Sequence, residues 1–137
     1  MNKNLLHFAR YHLPALFYGI VIISISSIPH LRTPEVRFLA FDKIAHFIEY
    51  ALFAALLYRS LANLHERLSA GTSFILSSII LSLFATFDEY FVQTFSNRTT
   101  DIFDLIFDIT GGVLVLVLMW LHQRRKIKNR AAVETAN

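Results

Sequence analysis

The sequence predicts an all-α membrane protein of four transmembrane helices, with both termini in the cytoplasm. Three observations carry that prediction. Hydrophobic residues make up 55% of the 137 residues and charged ones only 17%, more apolar surface than one soluble domain could hide. The apolar residues gather in four segments, at about 13–28, 44–61, 74–95 and 102–121. A helix needs roughly 17–25 residues to cross the hydrocarbon core, so these lengths suit spanning helices. The basic residues are also lopsided. Lys3, Arg10, Arg59, Arg67, Arg124, Arg125, Lys126, Lys128 and Arg130 fall on one side of such a bundle, and only Arg32, Arg37, Lys43 and Arg98 fall on the other. The positive-inside rule therefore places both ends in the cytoplasm.

The first segment opens with Pro14 in its first turn and closes at Pro29. It is short for a crossing unless Phe8 and Tyr11 extend it. Lys3 and Arg10 ahead of an apolar stretch, with Ser24 and Ser26 behind, imitate a secretory signal. An uncleaved anchor is expected instead, because its removal would leave three helices and send the basic tail to the wrong side. Between the second and third segments, Leu61, Leu64 and Leu68 keep helical spacing and predict a short interfacial extension. Gly71, Thr72 and Ser73 are expected to stop and cap there.

After the fourth segment comes a basic cytoplasmic tail, residues 122–137. Its position directly behind an apolar run marks a topology anchor that meets anionic lipid head groups, so nucleic acid is not expected as a partner. The absence of cysteine excludes disulfides and thiolate metal sites. Four buried soluble helices with so little polar face would leave no exterior.

The acids carry the functional signal. Seven of the ten, Asp42, Glu49, Asp88, Glu89, Asp101, Asp104 and Asp108, cluster near helix ends that the orientation places toward the extracytoplasmic side. Ionisable groups in a spanning segment are costly and read first as functional. Asp42, His46 and Glu49 stand at i, i+4 and i+7, one stripe of the second helix, with Glu49 about 10 Å deeper than Asp42. Asp42 also suits a helix cap; Glu49 lies too deep for one. Glu89 and Gln93 share a face of the third helix, and Asp88 points about 100° away, toward another neighbour or a solvated notch. Arg98, in the outer turn, either holds the acids together or binds an anion. Asp104 and Asp108 stand at i and i+4 on the fourth helix, Asp101 suits its N-cap, and Gly111 and Gly112 permit close packing. Carboxylates so crowded must share protons or take in a cation. Oxygen ligands favour Mg²⁺, Ca²⁺ or Mn²⁺, and His46 admits Zn²⁺. The sequence leaves both solutions open.

Three blocks in this order resemble the VanZ-like family of small bacterial membrane proteins. Asp42-Lys43 through His46-Phe47 to Glu49-Tyr50 is similar to its D-K-x-x-H-F block. Asp88-Glu89 leading to Gln93 and Arg98 is similar to D-E-x-x-Q…R, with Gln93 one residue later than the family spacing. Asp104 through Asp108 to Gly111 is similar to D-x-x-x-N/D-x-x-G. The resemblance implies a multi-pass protein of the bacterial cytoplasmic (inner) membrane, working on the cell envelope.

The expected function is a site at the outer bilayer surface that engages a polar lipid or a lipid-linked envelope precursor. In a hydrolytic version Glu49, Asp104 and Asp108 hold a cation or act as base, and His46 is proton donor or ligand. Lys43 and Arg98 then take a phosphate, with Asp42, Glu89 and Gln93 completing the binding set. The alternative is a non-catalytic binding or assembly module whose polar residues fix helix register. A proton path is disfavoured, since the cytoplasmic halves stay apolar at Leu52 to Leu57 and Val113 to Leu118.

Overall fold

A computed structural model describes residues 2–28, 39–64, 68–96 and 100–136, and of residues 39–42 and 135–136 the backbone alone. Among the described residues every regular element is helical. Helices α1 (Lys3–Tyr11) and α2 (Leu13–Ser26) meet at a bend of 41°. Helices α3 (Leu39–Ala62), α4 (Ala70–Phe95) and α5 (Ile102–Ala136) follow. These three are long and apolar enough to cross a membrane, and α1 with α2 makes a fourth crossing if the bent pair is one span.

The bend has a local cause. Pro14 has no N–H to continue the ladder, and it stands in the first turn of α2 just after the break at His12. The 14 residues of α2 rise about 21 Å, less than a hydrocarbon core of about 30 Å. Phe8 and Tyr11 do lengthen the segment, but from a separate, largely polar helix.

Helices α3, α4 and α5 pack together, and α2 lies against α3. Their shared core includes Tyr50, Phe53, Ala54, Leu81, Ala85 and Leu116, with Ile22 entering from α2. Phe53 and Phe84 bring their rings to 4.6 Å. Lipid is as apolar as leucine, so close packing and polar contacts, not apolar burial, hold such helices together. Gly111 and Gly112 supply the closest approach. A Cβ on Gly111 would run into the backbone carbonyl of Phe47, and one on Gly112 into the Leu81 side chain. The outward faces are apolar: Ile44, Ile48 and Leu52 recur every fourth residue of α3, and Ile75, Ile79 and Leu83 line α4. Exposed rows of this kind suit lipid.

Three boundaries differ from expectation. Helix α4 starts at Ala70, capped by Ser69, whose hydroxyl accepts from the Thr72 N–H at 3.0 Å. Gly71, Thr72 and Ser73 are therefore inside the helix, and Ser73 is buried against its neighbours. Ser69 wins because it keeps extended backbone and reaches the third amide of the turn. Helix α3 ends at Ala62, and Leu68 is outside any helix, so the interfacial extension is not continuous. The tail expected to follow residue 121 continues α5 without a break to Ala136. It contains neither Gly nor Pro and is rich in Arg, Lys and Ala, which propagate helix.

Candidate functional site

The wide turn Asp88–Val92 in α4 organises the acidic end. It is a π-helical segment, closed by the Gln93 N–H bonding to the Asp88 carbonyl. Such turns insert one residue into an α-helix and recur at functional sites. The residue by which Gln93 departs from the family spacing falls inside this turn. Asp88, Glu89 and Gln93 are all buried, at 2%, 1% and 2% exposure, yet they serve two different sides.

On one side, Asp88 accepts hydrogen bonds from Ser26 of α2 at 2.8 Å and from the Tyr50 hydroxyl of α3 at 3.3 Å. The neighbour expected for Asp88 is thus this pair. On the other side, Gln93 donates to Glu89 at 2.6 Å, and the second Glu89 oxygen accepts the Asp101 N–H at the start of α5. Asp101 also accepts from Phe103 N–H at 2.8 Å, the N-cap role its position predicts.

Helix α3 supplies a lysine and an imidazole to meet these acids. Lys43 donates to Asp101 at 2.6 Å and also to Asp104. One turn deeper, His46 Nδ1 meets Asp108 at 3.0 Å, with Asp108 1% exposed. A carboxylate partner there favours the tautomer with hydrogen on Nδ1, which makes Nε2 the basic nitrogen. Another turn on, Tyr50 is 1% exposed, and Asp88, Asp108 and Glu49 all act on it electrostatically. Glu49 is half-buried and acts on Tyr18 of α2 as well. Outside the spanning segments, the Lys43 ammonium and the Phe103 amide hold the Asp101 carboxyl below the usual carboxylate range.

The structure therefore brings Lys43, His46, Glu89, Gln93, Asp104 and Asp108 to one end of the bundle, where α3, α4 and α5 meet. Glu49 reaches the same region from the α2 side of α3. Arg98 and the side chain of Asp42 lie outside the described residues. Sequence reading passed over Ser26 and Tyr50. Tyr50 was open to detection, since it stands four residues after His46 and continues the same stripe. Ser26 carried no signal beyond being a small polar residue at the end of an apolar helix.

The lysine also bears on the crowding of carboxylates. Lys43 lies between Asp101 and Asp104 and offsets part of their charge. Among the described residues, no three His, Asp or Glu side chains converge as metal ligands would. The arrangement offers a basic imidazole nitrogen backed by a carboxylate, next to buried acids and one lysine. Such a group can move a proton or orient a polar ligand.

Comparison with known proteins agrees with the motif blocks. The family model described as VanZ/LLP1 matches residues 2–123. An uncharacterised protein of Schizosaccharomyces pombe is 30% identical over 132 residues, covering 93% of this chain and 75% of that protein. No solved structure matches the chain significantly.

Proposed function

Because the chain belongs to the VanZ/LLP1 family of membrane proteins, we propose that its acidic end is a ligand site at the extracytoplasmic bilayer surface. Its ligand is the polar head of a lipid or of a lipid-linked envelope precursor, in a bacterial inner membrane. One observation carries this reading: half-buried His46 pairs with buried Asp108 beside further acids contributed by different helices. Register alone would need only one or two polar residues. In a hydrolytic version, His46 takes a proton from the attacking water through Nε2 and Asp108 steadies the imidazolium. The leaving oxygen then receives that proton. Lys43 and Arg98 are the residues we assign to the phosphate of the head group, with Glu49 and Asp104 as further base or cation ligand.

A second reading draws on a specific observation. Lys43, Glu89, Gln93 and Asp101 bond to one another, as a network that fixes helix register would. The two readings separate by experiment. Under the ligand reading, Glu49→Gln protein purifies with less bound lipid while its melting temperature stays near wild type. Lipid extracts of cells lacking the protein then differ from wild type, and a Glu49→Gln copy does not restore them. Unchanged lipid together with lowered melting temperatures establishes the network instead. The side of the membrane is checked with single cysteines: Thr33→Cys and Asn97→Cys react with an impermeant thiol reagent in spheroplasts, and Ala131→Cys does not. Reversed labelling puts the acidic end in the cytoplasm.

A further inference from the structure

At the opposite end, α5 leaves the bundle as an exposed basic helix, and its basic residues divide by face. Arg124 and Lys128 stand at i and i+4 on one side with Arg125 beside them, whereas Lys126 and Arg130 form a second stripe. The first face borders a hollow of about 670 Å³ between α5 and the start of α4. Trp120, Leu121 and Ile127 make its apolar wall, and Arg124, Arg125 and Lys128 its charged rim. Arg124 lies over the Trp120 ring at 4.9 Å, and Trp120 packs on Phe74 of α4, so both stand in fixed positions.

Depth identifies the occupant. Leu121 ends the apolar run of α5, and at about 1.5 Å per residue Arg124 and Lys128 stand about 4 and 10 Å beyond it. Arg124 therefore stands inside the head-group layer, about 5–8 Å thick on each side of the hydrocarbon, and Lys128 just beyond it, within reach of its long side chain. Trp120 and Leu121 below, with Arg124, Arg125 and Lys128 above them, complement an anionic amphiphile, with a phosphate at the rim and an acyl chain beneath it. We infer that this hollow binds an acidic phospholipid of the leaflet on the basic side. A soluble phosphate would have no use for the apolar wall, and a general surface attraction would not distinguish the two stripes. The site is independent of the acidic end.

Trp120 is the protein's single tryptophan and reports on the site directly. The full chain is placed in phosphatidylcholine nanodiscs with rising fractions of brominated phosphatidylglycerol or, in parallel, brominated phosphatidylcholine. The expected result is half-quenching of Trp120 by the acidic lipid at a mole fraction at least about fivefold lower. One basic residue near an anionic surface contributes roughly that factor. R125Q/K128Q, which leaves Arg124 on Trp120, removes most of the preference. K126Q/R130Q, equal in charge and also exposed, keeps it. Equal quenching by the two lipids, or equal loss in both double variants, overturns the site. So does a change in Trp120 emission caused by inorganic phosphate in nanodiscs of phosphatidylcholine alone, which would identify a soluble ligand.

Discussion

At the acidic end, Asp88, Glu89 and Asp108 are buried, and each accepts a hydrogen bond from a group outside its own helix. At the basic end, Arg124, Arg125, Lys126, Lys128 and Arg130 are exposed on a single helix. The contrast follows from solvation. A charge that keeps its water needs no partner, so basic residues can follow one another along a rod. A carboxylate removed from water needs donors fixed around it, and these come from distant points in the sequence. Stability should therefore be sensitive at one end and tolerant at the other.

The largest effect is expected at Gly111, which sets the distance between α3 and α5 and so the register of Lys43 and His46 with their acids. A methyl there meets the backbone carbonyl of Phe47, which cannot rotate away. Gly111→Ala should cost about 3 kcal/mol, the upper part of the usual overpacking range, read as thermal unfolding in detergent. Gly112→Ala meets the end of the Leu81 side chain, which can turn, and should cost about 1 kcal/mol. Equal losses at the two glycines would contradict this distinction between backbone and side-chain contact.

Next comes the His46–Asp108 pair. Asp108→Ala leaves His46 without its carboxylate and should cost about 2 kcal/mol. His46→Gln combined with Asp108→Asn should cost less than the sum of the single changes, because the two residues share one interaction. Arg125→Gln at the basic end should stay within about 0.5 kcal/mol. If the two ends respond alike, burial is not what separates them.

A smaller loss is expected at Asp88, which ties α2 to the bundle through Ser26. Asp88→Ala should cost about 1 kcal/mol, typical of interhelical hydrogen bonds in membranes, where the unfolded helices also find partners. Amide exchange should rise in α2 more than in α5. Uniform exchange would mean that apolar packing around Ile22, and not Asp88, holds α2.

How much of this was legible varies with the range of the interaction. The spanning segments followed from hydropathy, a property of neighbouring residues, whereas Glu49, which periodicity put on the His46 stripe, acts on Tyr18 of α2. The cap at Asp101 was readable from neighbouring residues too. The pairing of His46 with Asp108 rather than Asp104 was not, since it depends on how far α5 slides along α3. The π-helical turn escaped as well: its one trace was the extra residue before Gln93, since Glu89 and Gln93 at i and i+4 also suit an ordinary helical face. The start of α4 was misplaced because Gly71 suggested an interruption, when Ser69 had already supplied the cap.

The smallest effect is expected at the rim, where the two regimes meet. Asp101 pairs with Lys43 as Asp104 does, but its side chain is 39% exposed. Its carboxyl is held below the usual carboxylate range by Lys43 first and the Phe103 amide second. A folded-state pKa below the unfolded one gives stability that is complete above the unfolded value and is lost as pH falls through the folded one. The unfolded value is near 3.9, so the loss should begin just below about pH 4. Its size should stay under about 1 kcal/mol, because solvent screens a partly exposed pair. Asp101→Asn should flatten this part of the acid limb, and Lys43→Gln should shrink it by letting the folded value rise toward the unfolded one. Salt completes the test: at about 1 M, where the screening length is about 3 Å, the Asp101 contribution should shrink. The cost of Asp108→Ala, set inside the bundle, should change little. A salt-insensitive Asp101 would place the rim with the buried acids and move the boundary between the two regimes outward.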